Sequence, residues 1–267
     1  MTNFDAAKVE TGSFNNGRLN FLSEVNYHNG DKYRGNFKDG RVNGFGTMQY
    51  NYSLPGTKGA EFEQAEFQGN WKAGRRDGYG VMTWNDGSAF KGIWRGDKRF
   101  EGEMILSNGF RYRGGFKDDK FHGLARMLLS NDVVFEGEFE NGVCSAVGKL
   151  LYPNGDMYFG QHKQYIKDGH GKMVYFDGSI FEGKWENDRK NGRGRYVTFD
   201  TGDVYVGEYT EGKRSGQGRY YDATKRTIYD GEWSNDRKQG EGTILNAQGH
   251  ISSGEFRADQ MEGKLTH

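Results

Sequence analysis

A pattern of aromatic, any residue, glycine, any residue, aromatic returns along this chain at nearly constant intervals. Its clear copies centre on Gly35, Gly69, Gly92, Gly114, Gly137, Gly160, Gly183, Gly207 and Gly231, with worn copies at Gly12 and Gly254. Successive glycines lie 22 to 24 residues apart, except for one step of 34 between Gly35 and Gly69. The extra residues of that step fall in 51–66, which includes Pro55 and reads as a loop insertion. A fixed step of this size marks a repeat array, in which each unit buries its apolar face only against its neighbours. The reading is a tail over 1–9 and a continuous array of eleven units over 10–264. Units at about 10–25 and 250–264 are degenerate, as end-capping demands.

Each unit has room for two short strands. In Tyr33-Arg34-Gly35-Asn36-Phe37 the period of two puts Tyr33, Gly35 and Phe37 on one face and Arg34 and Asn36 on the other. The same split sends Glu136, Glu138, Glu182, Lys184, Asp230 and Glu232 to the charged face. The opposite face carries the paired aromatics Tyr33 and Phe37, Phe67 and Trp71, Phe90 and Trp94, Tyr112 and Phe116, and Phe135 and Phe139. It continues with Tyr158, whose partner slot holds His162, then Phe181 and Trp185, Tyr205 and Tyr209, and Tyr229 and Trp233. A second strand follows a Gly-x-Gly and adds Met48, Met82, Trp84, Met127 and Met173 to that face.

The glycines read as gaps over which a neighbouring strand's ring can lie, at Gly35 and equally at Gly44 and Gly46. In the copy of Trp94, Gly102 reads as the first glycine arriving one residue late. Between units, Asn29-Gly30, Asp86-Gly87, Asn108-Gly109, Asn154-Gly155 and Asp177-Gly178 predict type I′ hairpins. The turn inside a unit, as over 38–43, reads as longer and charged. The expected fold is all-β: an elongated single-layer antiparallel sheet, a twisted and curved solenoid of β-hairpin repeats. At about 4.8 Å per strand its length would be roughly 100 Å.

The copies YRGNFKDGRVNGFG, FQGNWKAGRRDGYG, FEGKWENDRKNGRG and YDGEWSNDRKQGEG resemble the MORN-repeat family, named for membrane occupation and recognition nexus repeats. That resemblance implies the same elongated, gently twisted sheet. Family members recur in radial spoke heads of motile cilia, in other cytoskeletal assemblies and at membrane junctions. Some carry a kinase or methyltransferase domain, for which the repeats here leave no room. The resemblance thus implies a non-enzymatic scaffold in a ciliary axoneme, such as a radial spoke head subunit. Its alternatives are a phospholipid-binding, membrane-tethering module and a self-assembling cytoskeletal scaffold outside cilia.

Composition narrows the chemistry. Lys plus Arg equals Asp plus Glu at 37 each, so no bulk charge draws nucleic acid or anionic membrane. The basic turns at Lys72, Arg75 and Arg76, and at Arg189, Lys190, Arg193 and Arg195, read as solvated surface. The single Cys144 allows no internal disulfide. The N-terminus has no signal-like apolar run and no window spans a membrane, so a cytoplasmic protein is expected. GSIFEGK at 178–184 mimics a phosphate loop, but Trp185 stands where Ser or Thr should hold magnesium. The histidines show no metal-ligand spacing, and no catalytic, metal or cofactor residues emerge. What remains is the aromatic and methionine face. A one-layer sheet has no second layer to cover it, and exposed apolar surface marks an interaction site. The twenty-two residues named above on that face are the expected contacts for a protein partner. A helix or extended segment, the chain's own tail or a second copy could lie along them.

Overall fold

The computed structural model describes residues 7–51, 64–129 and 131–262. Residues 52–63 of the insertion, 1–6 of the tail and 263–264 of the last cap lie outside the described residues. Among those described, the fold is all-β and contains no helix. Its 22 strands, from Ala7–Asn15 to Gln260–Glu262, belong to one antiparallel sheet of successive hairpins. This is the fold class expected from the repeat. The chain divides into two compact units. One comprises Met1–Asn131 with Glu138–Cys144, the other Asp132–Gly137 with Ser145–His267.

A row of glycines crosses most strand pairs, with Ser23 opposite Gly35 and Ala125 opposite Gly114. In the first unit it runs from Gly35 through Gly46, Gly69, Gly80, Gly92 and Gly102 to Gly114, each paired with the next. In the second it runs from Gly148 through Gly160, Gly171, Gly183, Gly194, Gly207, Gly218, Gly231 and Gly242 to Gly254. The ring over each glycine pair belongs to the same hairpin, two residues before its first glycine, and not to a neighbouring unit. A Cβ on Gly46 would collide with the Tyr33 ring, and one on Gly171 with the Tyr158 ring. Where that aromatic is tyrosine, its hydroxyl spans the gap and donates to the carbonyl three residues on. Tyr112 reaches Gly115 at 2.8 Å, Tyr158 reaches Gln161 at 2.6 Å and Tyr229 reaches Glu232 at 2.8 Å.

The first glycine of each Gly-x-Gly does different work. Gly44 (φ +84°) and Gly78 (φ +103°) sit in β-bulges, where the second strand carries extra residues against the first. Asn70 closes one such bulge by donating its side-chain amide to the Tyr79 carbonyl at 3.1 Å. Gly102 pairs with both Gly92 and Gly114, so it is the second glycine arriving early. The first glycine is the one missing there, and the bulge is correspondingly shorter.

The turns are reversed from expectation. Between units, Gly30 donates its N–H to the Tyr27 carbonyl at 2.9 Å, while the Tyr27 N–H donates to the Asp31 carbonyl at 2.8 Å. Only the glycine has positive φ, which makes a three-residue loop of a type I turn followed by a left-handed glycine. The two-residue type I′ turns lie inside the units, at Asp39-Gly40, Asn187-Asp188 and Asn235-Asp236, with both residues at positive φ. Asn and Asp tolerate that conformation better than other side chains.

Candidate functional site

All twenty-two expected contact residues are buried by the chain's own atoms, none more than 8% exposed. The expectation of an uncovered apolar face is therefore corrected. Most of the first aromatics meet their own second aromatic and that of the next unit, edge to face. In the first unit, Phe67 lies 5.1 Å from Trp71 and 5.4 Å from Trp94, and Phe90 lies 5.2 Å from both Trp94 and Phe116. In the second unit, Phe181 lies 5.2 Å from Trp185 and 5.1 Å from Tyr209, and Tyr205 lies 5.2 Å from both Tyr209 and Trp233. Such pairs are each worth about 0.5–1.5 kcal/mol beyond the area they bury. His162 joins as an aromatic, 5.0 Å from Phe135, and burial holds its imidazole below the usual histidine range. The indoles of Trp71, Trp185 and Trp233 donate to the carbonyls of Gly46, Gly171 and Gly218 at 3.2, 3.2 and 3.0 Å. These bonds tie those three units to the ones before them.

Cationic side chains cover the rings, among them Arg76 and Lys190, which the sequence placed among solvated turns. Opposite the second aromatic of each hairpin, five residues later in the chain, stand Arg76, Arg99, Lys167, Lys190, Arg214 and Lys238. Arg76 lies 4.4 Å over the Trp94 ring and Arg214 lies 4.3 Å over the Trp233 ring. The slot is apolar at Val42 and Phe121, and Phe121 stacks on Tyr112 at 3.8 Å. An aspartate in the next unit's type I′ turn answers four of the cations. Arg76 pairs with Asp97 at 3.2 Å, Arg99 with Asp119 at 2.9 Å, Lys167 with Asp188 at 3.1 Å and Arg214 with Asp236 at 3.3 Å. The fixed offset from the second aromatic was the available sequence signal for this row.

In the second unit the slot of Met82 is filled by Tyr196 and Tyr220, which are only half buried. Here the surface opens into a cleft of about 380 Å³ lined by Lys190, Tyr196, Asp203, Gly212, Arg214 and Tyr220 among others. Tyr220 donates its hydroxyl to the Asp203 carboxylate at 2.7 Å, and the Ala223 N–H donates to the same carboxylate at 2.9 Å. Burial pushes the Lys190 ammonium down to about 8.

A repeated hairpin with an aromatic ladder, a glycine row and a shared offset is a family signature, and the MORN-repeat profile matches nine segments. They are 33–51, 67–89, 112–132, 135–157, 158–180, 181–202, 205–225, 229–250 and 253–264, well over half of the chain. The chain belongs to the MORN-repeat family. The profile passes over 90–111, the MORN unit with the shortened bulge, although its strands pair like the others. No curated protein matches the sequence. Among solved structures, the TCP domain of SAS-4 (dCPAP) from Drosophila melanogaster, in complex with a proline-rich motif of Ana2, aligns with this chain. The alignment has 14% identity, covers 66% of this chain and 88% of that one, and has a TM-score of 0.36. The TCP10 domain of Danio rerio CPAP, in complex with a peptide of STIL, aligns at 14% identity over 79% and 84%, with a TM-score of 0.38. At these scores the likeness carries no argument about function.

As a MORN array, the chain is a repeat-based interaction or scaffold module. Among the described residues, no three His, Cys, Asp or Glu side chains are grouped to hold a metal ion. No helix among them is long and apolar enough to cross a membrane.

Proposed function

We propose that this chain is a non-enzymatic scaffold that holds helical or extended partner segments along the cation-bearing side of its sheet. We further propose that the assembly it serves is the axoneme of motile cilia, with the radial spoke head as the foremost site. Repetition carries the scaffold reading. The pairing of a ring, a cation and a turn aspartate recurs from hairpin to hairpin, offering similar contacts in series. Because the rings are buried, a partner would meet the cations, the half-buried tyrosines and isolated exposed side chains such as Phe176 and Phe199. Family membership supports the ciliary reading, since MORN proteins recur in spoke heads. Membrane phospholipid is the weaker alternative. Arg76 is paired with Asp97 and Arg189 with Glu211, so these basic turns carry their own counter-charges.

Fractionation of motile cilia tests the assembly. The protein should stay with axonemes and leave only under conditions that release spoke heads; its absence from axonemes would overturn the ciliary reading. Crosslinking mass spectrometry on native complexes tests the scaffold reading independently. Partner segments should be captured at Lys167, Lys190 or Lys238, and a protein isolated from cells without any crosslinked partner would overturn it.

A further inference from the structure

The cation row is broken at one turn. In the hairpins of Arg76, Arg99, Lys167 and Arg214, the second residue of the facing type I′ turn is an aspartate. Its carboxylate also accepts the cation's own main-chain N–H, at 2.9 Å in Asp188 on Lys167 and 2.9 Å in Asp236 on Arg214. The turn that faces Lys190 is Glu211-Gly212. Register is kept, because the Gly212 N–H donates to the Lys190 carbonyl at 2.9 Å, as that of Asp188 does to Lys167 at 3.0 Å. Only the carboxylate is missing from the turn. Glu211 does not replace it, being turned to Arg189 on the exposed surface.

What stands at this point is a cation in an aromatic box with one open side. The Lys190 ammonium lies 5.3 Å from the Tyr175 ring, 4.9 Å from Phe181, 4.5 Å from Tyr196 and 5.7 Å from Tyr209. Neither a hydrogen bond nor an ion pair joins it to any described residue. A Cβ on Gly212 would meet nothing within 4 Å, so the space its siblings fill with an aspartate opens to the cleft.

We propose that this cleft binds one carboxylate side chain, aspartate or glutamate, from an extended segment of a partner protein, which supplies to Lys190 the counter-charge that Gly212 does not. The inference rests on the scaffold reading and names the chemistry of one of its contacts. A carboxylate is favoured over a phosphate on two grounds. The four sibling positions are each satisfied by a single carboxylate. Asp203 and Asp236 also line the cleft, and a doubly charged phosphate beside them would meet stronger repulsion. Lys190 is half-buried and held by no ion pair, with Asp236 acting on it only at longer range, so an incoming counter-charge gains more here than on open surface.

The test titrates the full chain with N-acetyl-tetraglutamate amide at constant ionic strength, with the tetraglutamine peptide and inorganic phosphate as controls. Saturable binding of tetraglutamate alone is expected, weakened at least tenfold by Lys190→Met. Gly212→Asp is the decisive variant, because Asp188 and Asp236 hold the equivalent position at φ +67° and +68°, close to the +87° of Gly212. It should fold, melt higher than the parent chain and lose the peptide, since its own carboxylate occupies the site. Tetraglutamate binding that survives Gly212→Asp would overturn the inference, as would binding of phosphate alone or no binding at all. If partner segments crosslink elsewhere while tetraglutamate fails, the inference falls and the scaffold reading stands.

Discussion

Beyond the turns, the repeat glycines of this sheet serve either as floor for a ring or as a hinge for a bulge. Gly171 is floor. Its Cβ would collide with the Tyr158 ring, which is fully buried and bonded to Gln161, so neither side can yield cheaply. Gly171→Ala should therefore destabilise the chain by roughly 1–3 kcal/mol, the usual cost of overpacking, as read from urea unfolding. Lys190 makes a second prediction at this scale. Burial, reinforced by Arg214 and opposed by Asp236, sets its ammonium at about 8 against an ordinary 10.5. Asp203 and the phenols of Tyr175, Tyr196, Tyr205, Tyr209 and Tyr220 are the other titratable groups around it. Between those two values the unfolded chain holds the proton and the folded chain releases it. This group's contribution to stability thus rises with pH across that window and is flat below it. Unfolding at pH 8 and at pH 10 should show the stability of the parent chain gaining on that of Lys190→Met, because the raised phenols of the buried tyrosines act on both chains alike.

At the scale of the hairpin, identical-looking tryptophans are not equivalent. Trp233 donates to the Gly218 carbonyl at 3.0 Å, whereas the Trp94 indole nitrogen is buried without a hydrogen-bond partner. Replacing Trp233 by Phe removes that hydrogen bond, which Trp94→Phe does not, and should cost about 1 kcal/mol more than Trp94→Phe, measured by the same unfolding assay. The turns were partly legible. The Asn-Gly and Asp-Gly pairs marked the turns between units correctly, but their type was misassigned, because the residue before the glycine stays at negative φ. Although Asp39-Gly40 carries the glycine that usually signals a type I′ turn, two of these turns, Asn187-Asp188 and Asn235-Asp236, lack it. The second residue there is kept as aspartate by a cation some twenty residues earlier, a link no local rule detects.

For the molecule as a whole, each hairpin contacts the hairpins beside it within a compact unit, so stability should be close to a sum over repeats. Deleting residues 158–180 removes one 23-residue period and joins Met157 to Phe181, which continues the same strand position. The shortened chain should keep its β spectrum, unfold cooperatively and show a smaller denaturant slope, because it exposes less surface on unfolding. Loss of the β spectrum would contradict the additive picture. The period, the hairpin, the shared face of the strand aromatics and the family are legible in the chain, because all four follow from the spacing of aromatic and glycine residues along it. Tertiary structure decided whether that aromatic face meets solvent. Bulges at the first glycines and cations from facing strands close over the rings. Only three-dimensional register shows that the turn opposite Lys190 brings Gly212 where its siblings bring an aspartate. The physical reason is distance along the chain. The 23-residue repeat is written in neighbouring letters, whereas a buried charge is balanced by a residue one unit away.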